Sequence, residues 1–348
     1  MRDEQLQFEC RGSRGTMRAT KAMAAFVVMA ASAFPASAQT CTTQAKMADD
    51  VRSSLADQAL AIGIDIKGNN GAKIQGESSP ALAGNFEQTA FLLRTTSEKI
   101  AGDALAVTQV YLLDASKASG SGEVDFSCPL TATSSETDFT FGSLPAGIYG
   151  FAMVEATGPR PWLLSLLLQQ QGSAWKLAGL YSHPRAVAGR EGLSYWSGAR
   201  EAAKAKQLWR AWLLYAEADA LLAPAPFVDT THLDMLRSEQ RESTPPELTD
   251  GISAQTPLVL KDAQGQPVAF TAIAPGSSDD GAKLRLTLHY RAEPLADPAA
   301  ARARNAEAAR TLLDAHKELR TGVDTVFVFA DLVGQPPFAT EMPVSQIP

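Results

Sequence analysis

Few residues in this chain stand at spacings that do chemistry. Histidine is the first place to look, because it both ligates metals and moves protons near neutral pH. There are four. His183 precedes Pro184 just past an apolar run, His289 lies on the polar side of an alternating segment with Arg285 and Arg291, and His316 falls one turn after Leu312. Each reads as a hydrogen-bonded structural histidine. No HExxH, HxH or CxxC spacing occurs, so a zinc site has no support. Asp229, His232 and Asp234 come closest to a ligand cluster. The same stretch, Asp-Thr-Thr-His-Leu-Asp, also opens a helix, where Asp229 or Thr230 would cap and early acids would meet the helix dipole. Gly120-Ser121-Gly122 lies between two strand-like runs, whereas a phosphate cradle needs a helix after it. The acid pairs Asp49-Asp50 and Asp279-Asp280 read as solvated surface. No nucleophile elbow or phosphate loop is present. These residue types predict no catalytic residues, no cofactor and no metal site.

Aromatic residues concentrate instead. Tyr195, Trp196, Trp209, Trp212 and Tyr215 hold three of the five tryptophans within some twenty residues. Tryptophans at an accessible surface make interface anchors or ligand platforms. We therefore take Trp196, Trp209, Trp212 and Tyr215 as candidate partner or ligand contacts. The structural alternative is that Trp196, Trp212 and Tyr215 lock two helices onto a neighbouring sheet domain.

The start of the chain carries an address. Arg18 and Lys21 precede an apolar run from Ala22 to Phe34, and Ala36-Ser37-Ala38 matches the small-x-small site of a signal peptidase. The run is shorter than the ~20 residues that span a bilayer. Residues 1–38 are thus expected to be a signal region, with Met17 the expected true start because Asp3, Glu4 and Glu9 dilute the charge before it. Export would place the protein in the periplasm or outside the cell. The chain holds 31 basic and 38 acidic residues, and losing 1–38 removes five and three of them, leaving a net charge of −9. That balance argues against nucleic acid and against anionic membrane surfaces. No second apolar run is long enough to span, so no membrane span is expected after cleavage. Two cysteines remain, Cys41 and Cys128. In an oxidising compartment they are a candidate disulfide, or else two unpaired thiols.

The elements that would position these residues follow from periodicity. Apolar residues at helical spacing predict a helix over 42–62, capped by Thr42 or Thr43, and a second from a cap at Asn85 to about Ser97. The Gly- and Ser-rich stretch 63–79 reads as loop. Alternation predicts strands over 104–114, 123–128, 137–141, 148–157, 162–171 and 174–181, the last two a hairpin around Gln171-Gly172-Ser173. A helical hairpin, 193–206 and 209–222, precedes a short helix from Thr230 to about Gln240. Residues 242–256 read as linker. Strands at 257–260, 268–273 and 284–290 lead to a helix capped by Asp297, with Pro298 at its first position and Gly322 at its end. A central strand then covers Val326–Ala330. Strand, helix and strand over 284–330 fit a crossover between parallel neighbours.

Trp175-Lys176-Leu177-Ala178-Gly179-Leu180-Tyr181 after a glycine turn resembles the closing strand of NTF2-like (cystatin-like α+β) domains, and the helices-then-sheet order agrees. Leu144–Tyr149 (LPAGIY) is similar to the LPxGxY turn of secreted bacterial β-sandwich modules, which makes an N-terminal β-sandwich the alternative. Ala199, Ala211, Tyr215, Ala218 and Pro224 fall close to tetratricopeptide (TPR) spacing in a single unit. The stretches at 111–116 (YLLDAS), 175–181 and 312–320 (LLDAHKELR) resemble a group of uncharacterised, predicted-exported bacterial proteins. No function carries over from that group.

The expected architecture is α+β. It comprises an NTF2-like domain of helices packed on an antiparallel sheet (39–184), a TPR-like hairpin and short helix (185–241), a linker (242–256) and a small C-terminal α+β domain (257–348). The leading expectation for function is a non-catalytic exported protein that binds an envelope protein or a small ligand. A second is an enzyme or small-molecule binder with an NTF2-like pocket. Tyr111, Asp125 and Tyr149 are candidate pocket residues only because they sit on predicted strands, and a carboxyl in apolar surroundings would act there as acid or base. A third is a structural envelope component. Oligomeric state is left open.

Overall fold

The computed structural model describes residues 39–130, 133–278 and 281–347. The expected export signal and the Asp279-Asp280 pair lie outside the described residues. The fold is α+β. It opens with β1 (Thr40–Thr43), α1 (Asp49–Lys67), α2 (Gly71–Gly76), α3 (Pro80–Ala83) and α4 (Glu87–Ile100). Strands β2 (Ala104–Asp114), β3 (Val124–Pro129), β4 (Glu136–Phe141), β5 (Ile148–Thr157), β6 (Trp162–Gln171) and β7 (Ala174–Pro184) follow. Next come the short β8 (Ala186–Val187) and β9 (Arg190–Glu191), α5 (Gly192–Lys204), α6 (Leu208–Leu222), β10 (Val228–Thr230) and α7 (Thr231–Glu242). The last part is β11 (Leu258–Lys261), β12 (Pro267–Ser277), β13 (Leu284–Ala292), α8 (Pro298–Ala315), β14 (Thr325–Leu332) and β15 (Phe338–Pro343).

The helix expected over 42–62 begins only at Asp49, because Thr40–Thr43 pairs antiparallel with Tyr111–Asp114. Asp49 and Asp50 occupy its first turn, where carboxylates meet the positive end of the dipole. Neither Thr42 nor Thr43 caps it. The stretch expected as loop, 63–79, is largely helical, since α1 runs on to Lys67 and α2 fills 71–76. Ile66 and Ile74 are fully buried there. That burial outweighs the roughly 1 kcal/mol that a helical glycine costs. Phe86, not Asn85, precedes α4.

The predicted strands do not all share one sheet. Four of them, with the unpredicted β1, form an antiparallel sheet in the order β1-β2-β5-β6-β7, and β3 and β4 join β10 in a second sheet of three. The larger sheet is buried on both faces. Val110, Val154, Leu164, Leu166 and Leu168 meet Leu55, Ile62, Ile66 and Leu93 of the helices. Tyr111, Tyr149, Phe151 and Leu167 on the other face meet Phe126, Phe139, Phe141 and Val228 of the small sheet. Strand alternation splits the side chains between these two cores, since neighbours point opposite ways. Ser165, in the middle of β6, donates to the Pro224 carbonyl at 2.7 Å and ties the chain after α6 to this sheet. Cys41 on β1 and Cys128 on β3 form a disulfide with Cα atoms 5.3 Å apart, linking the two sheets at one edge.

The C-terminal sheet has the order β11-β12-β13-β14-β15, with β13 and β14 parallel and joined by α8. Asp297 caps α8 by accepting from the backbone N–H groups of Ala299 and Ala300. The helix ends at Ala315, and a turn of 3-10 helix, Lys317–Thr321, runs to Gly322. The helical hairpin packs against this sheet rather than the N-terminal one. Trp209, Leu213, Leu214 and Tyr215 share a core with Leu286, Leu288, Val326, Val328 and Leu312.

Two outcomes test this packing. A Cβ on Gly150 would stand 2.3 Å from Leu55 Cδ1, and Leu55 is fully buried. Gly150→Val is therefore expected to cost about 1–3 kcal/mol in urea unfolding, with part of the loss recovered in the double variant carrying Leu55→Ala. Cys128→Ala opens a link that spans 87 residues. It should lower stability by about 2–4 kcal/mol, and reduction of the wild type should reproduce that loss.

Candidate functional site

A cleft of about 550 Å³ opens along the outer edge of β7. Its floor is Leu180, Tyr181, Ser182 and His183, one wall is Leu92 of α4, and the other is Asp219 and Ala220 of α6 with Ala223–Pro226 and Arg237 of α7. Three segments far apart in sequence build it. The wall from α6 to β10 is held in place by the Ser165–Pro224 bond and by β10, whose Val228–Thr230 pairs with Thr137–Phe139. Pro224 and Pro226 keep that connection from continuing as helix. Tyr181 is a half-exposed ridge, packed edge-on to Phe227 at 5.1 Å. Beyond it lies a smaller hollow of about 260 Å³, with Tyr149, Gln169 and Phe141 among its lining.

The polar groups of the cleft are few and fixed. Arg237 donates from Nε to Asp219 at 2.9 Å and from Nη1 to Asp229 at 2.7 Å. Asp229 thus serves an ion pair, while Thr230 caps α7 by accepting from the Leu233 N–H at 3.1 Å. The Ser182 hydroxyl lies 2.7 Å from that of Thr96. His183 Nδ1 donates to the Pro184 carbonyl at 2.9 Å, and Nε2 is buried with no hydrogen-bond partner among the described residues. Burial, with the Arg185 charge adding, pushes the His183 pKa below its ordinary value, so the ring is neutral. Burial also raises the Tyr181 pKa.

The residues expected to form contacts lie elsewhere. Trp196, Trp209 and Tyr215 are buried, and Trp212 is half-buried. Trp209 stacks on His316 at 4.0 Å. Trp196 Nε1 donates to Glu239 at 2.8 Å, and Arg200 donates to both Glu239 oxygens at 2.8 and 2.6 Å while lying over the Trp196 ring. Tyr215 donates to Glu239 at 3.3 Å. These bonds, Arg200's foremost, hold the Glu239 carboxyl below its ordinary pKa. The cluster clamps α7 onto α5 and α6 and offers no open aromatic platform.

The expected pocket residues do not converge. Asp125 is exposed on β3. The Tyr111 hydroxyl lies 3.2 Å from that of Thr137, and Tyr149 donates to the Pro145 carbonyl at 2.9 Å and accepts from Gln169 at 3.2 Å. Both tyrosines face the small sheet, whereas the space between helices and sheet is occupied by the apolar side chains of another core. Among the described residues no three His, Cys, Asp or Glu side chains gather where a metal could bind. His289 instead pairs with Asp331 at 3.1 Å and stacks on Phe329.

One titrating group escaped sequence reasoning. Glu217 on α6 is 3% exposed and makes no hydrogen bond or ion pair among the described residues. Burial pushes its pKa up to about 7. Its charge adds to the burial that pushes Tyr195 up to about 12. An acid on the apolar face of the helix, three or four residues from Leu213, Leu214 and Leu221, is the signal that could have found it. Glu217 lines none of the cavities described above. Searches against protein-family models, curated proteins and solved structures find no match to this chain.

The Glu217 carboxyl sets a pH dependence. Between roughly pH 4.5 and 7 the folded chain keeps a proton that the unfolded chain has released, so stability falls as pH rises through that window and stays lowered above it. Glu217→Gln should stabilise the protein by roughly 3 kcal/mol at pH 8 and change little at pH 4. Denaturant unfolding at both pH values checks this, and an equal gain at each would mean the carboxylate is solvated.

Proposed function

We propose that this chain is a non-catalytic, exported binding protein of the cell envelope, which holds a protein partner or a small ligand in the cleft beside β7. The cleft carries the reading. It is the largest of the cavities described, mostly apolar, with Tyr181, His183 and Arg237 as fixed polar points, which is the usual composition of a binding site. Export is supported by the signal-like start of the sequence, and the Cys41–Cys128 disulfide is compatible with an oxidising compartment. Among the described residues no helix is long and apolar enough to cross a membrane.

The helices-on-sheet order supports an NTF2-like ancestry for residues 39–184, with a TPR-like pair following. Leu55, Ile62 and Ile66 occupy the space where such a domain would hold its ligand, so the binding space in this chain lies at the sheet edge. The enzyme reading has less support, because Tyr111, Asp125 and Tyr149 meet in no common cavity.

Ala220 is exposed on α6 and lines the cleft, so Ala220→Trp fills it without disturbing a core. Ligands found in a thermal-shift screen, and partners retained from envelope or culture fractions, should be lost in this variant while circular dichroism stays unchanged. Binding that survives Ala220→Trp but is lost in Trp212→Ala would move the site to the helical hairpin and overturn the proposal.

A further inference from the structure

The N-terminal sheet ends at β7, and the outer edge of β7 is only partly covered. At Leu177 the chain supplies its own cover. The Leu177 N–H donates to the Glu77 carbonyl at 3.0 Å and its carbonyl accepts from the Ser79 N–H at 2.7 Å, so 77–79 lies along the edge as a short parallel strand. At Pro80 that segment turns away into α3.

The edge continues beyond it without a partner. A bulge opposite Leu167 and Leu168 shifts the alternation by one residue. The Arg185 N–H then donates inward to Pro161 at 2.7 Å, which fixes the parity of the stretch between. Tyr181 and His183, like Arg185, turn their backbone groups toward β6, and Leu180 and Ser182 turn theirs outward. Neither residue's outward N–H or C=O has a partner among the described residues, and both residues line the cleft. Pro184 ends the run of donors, having no N–H. The open window of four residues is about 13 Å long, at roughly 3.3 Å per residue.

Unpaired backbone donors and acceptors at two-residue spacing fit one kind of ligand, another extended backbone. The charge of the walls narrows it. Asp219 and Arg237 line the cleft, and the single guanidinium of Arg237 is shared with Asp229 outside the lining, so the Asp219 carboxylate is only partly balanced.

We propose that β7 accepts an extended segment of a partner protein as an added strand along Leu180–His183, with an apolar side chain entering the cleft against Tyr181 and Pro224 and a basic residue meeting Asp219. This deepens the cleft reading above and rests on it. The mode is the one that residues 77–79 already use one step away on the same edge.

The test selects linear decapeptides from a displayed random library on the full chain, with the Ala220→Trp variant as decoy. Enriched peptides should carry an apolar residue near a Lys or Arg. Their binding should slow amide hydrogen exchange at Leu180 and Ser182, and N-methylation at alternate peptide positions should weaken it roughly tenfold, the effect of losing two backbone hydrogen bonds. Ser182→Pro, which removes one outward donor at an edge position where proline is tolerated, should weaken binding with the fold intact by circular dichroism. Peptides that bind without protecting these amides, or that tolerate N-methylation, would overturn the added strand and leave the cleft as a site for other ligands. No enrichment over the decoy, with small molecules still bound in a manner sensitive to Ala220→Trp, would do the same. Indifference of every bound species to Ala220→Trp would remove both readings.

Discussion

Burial of both faces of one antiparallel sheet governs this molecule. The sheet β1-β2-β5-β6-β7 carries large apolar side chains on each side, so it needs two covers. Helices α1 and α4 supply one. The other is a three-stranded sheet whose third strand, β10, comes from beyond the helical hairpin. The chain must therefore leave β7, build α5 and α6, and return across the sheet before entering α7. The buried Ser165–Pro224 bond marks that return. A buried hydroxyl without its acceptor would cost about 1–3 kcal/mol, so the contact holds the connection in place as well as satisfying it. The cleft beside β7 is the gap left between the sheet edge and the returning chain.

The hairpin shows two ways of keeping a carboxylate inside a protein. Glu239 receives hydrogen bonds from Arg200, Trp196 and Tyr215, and these hold it ionised. The bidentate Arg200 contact, stacked over an indole, joins α5 to α7 with fixed geometry. Glu217, one helix away, receives no hydrogen bond among the described residues, and burial holds its proton on to near neutrality. The same residue type is thus a clamp in one place and a pH-dependent weakness in the other. Partner groups decide which, because desolvation is repaid only where donors meet the charge.

Sheet edges expose backbone groups that must be paired, hidden or left for a ligand. At β1 the disulfide to β3 closes the edge onto the neighbouring sheet. At β7 the segment 77–79 pairs Leu177 and stops at Pro80. The cover spans only the first part of the edge, and the next four residues stay open beside an apolar cleft.

Much of the local structure was legible from sequence. The bounds of β2, β5 and β6 follow from alternation and, in β6, from a strand-length apolar run before a turn, and the Asp297-Pro298 cap and the two helices of the hairpin follow from capping and helical period. These features depend on neighbours within a few residues, which is the range over which a pattern in sequence reports structure. The sequence did not reveal that strands read as one series divide between two sheets, because β3 and β5 alternate alike whichever sheet they join. It also hid β1, β10 and β15, which are too short or too close to turn residues to show a period. The tryptophans were conspicuous by type, yet only the docking of the hairpin on the C-terminal sheet decided that they would be buried. The cleft could not be read at all, since Leu92, Leu180–His183 and Asp219–Arg237 meet only after every cover on the sheet is in place. Sequence alone determined most of the longer helices and strands and which of their faces are apolar, because those are set by side-chain type and period. Tertiary structure decided which apolar face meets which, and so where a cleft is left over, because that depends on contacts between residues tens to more than a hundred positions apart.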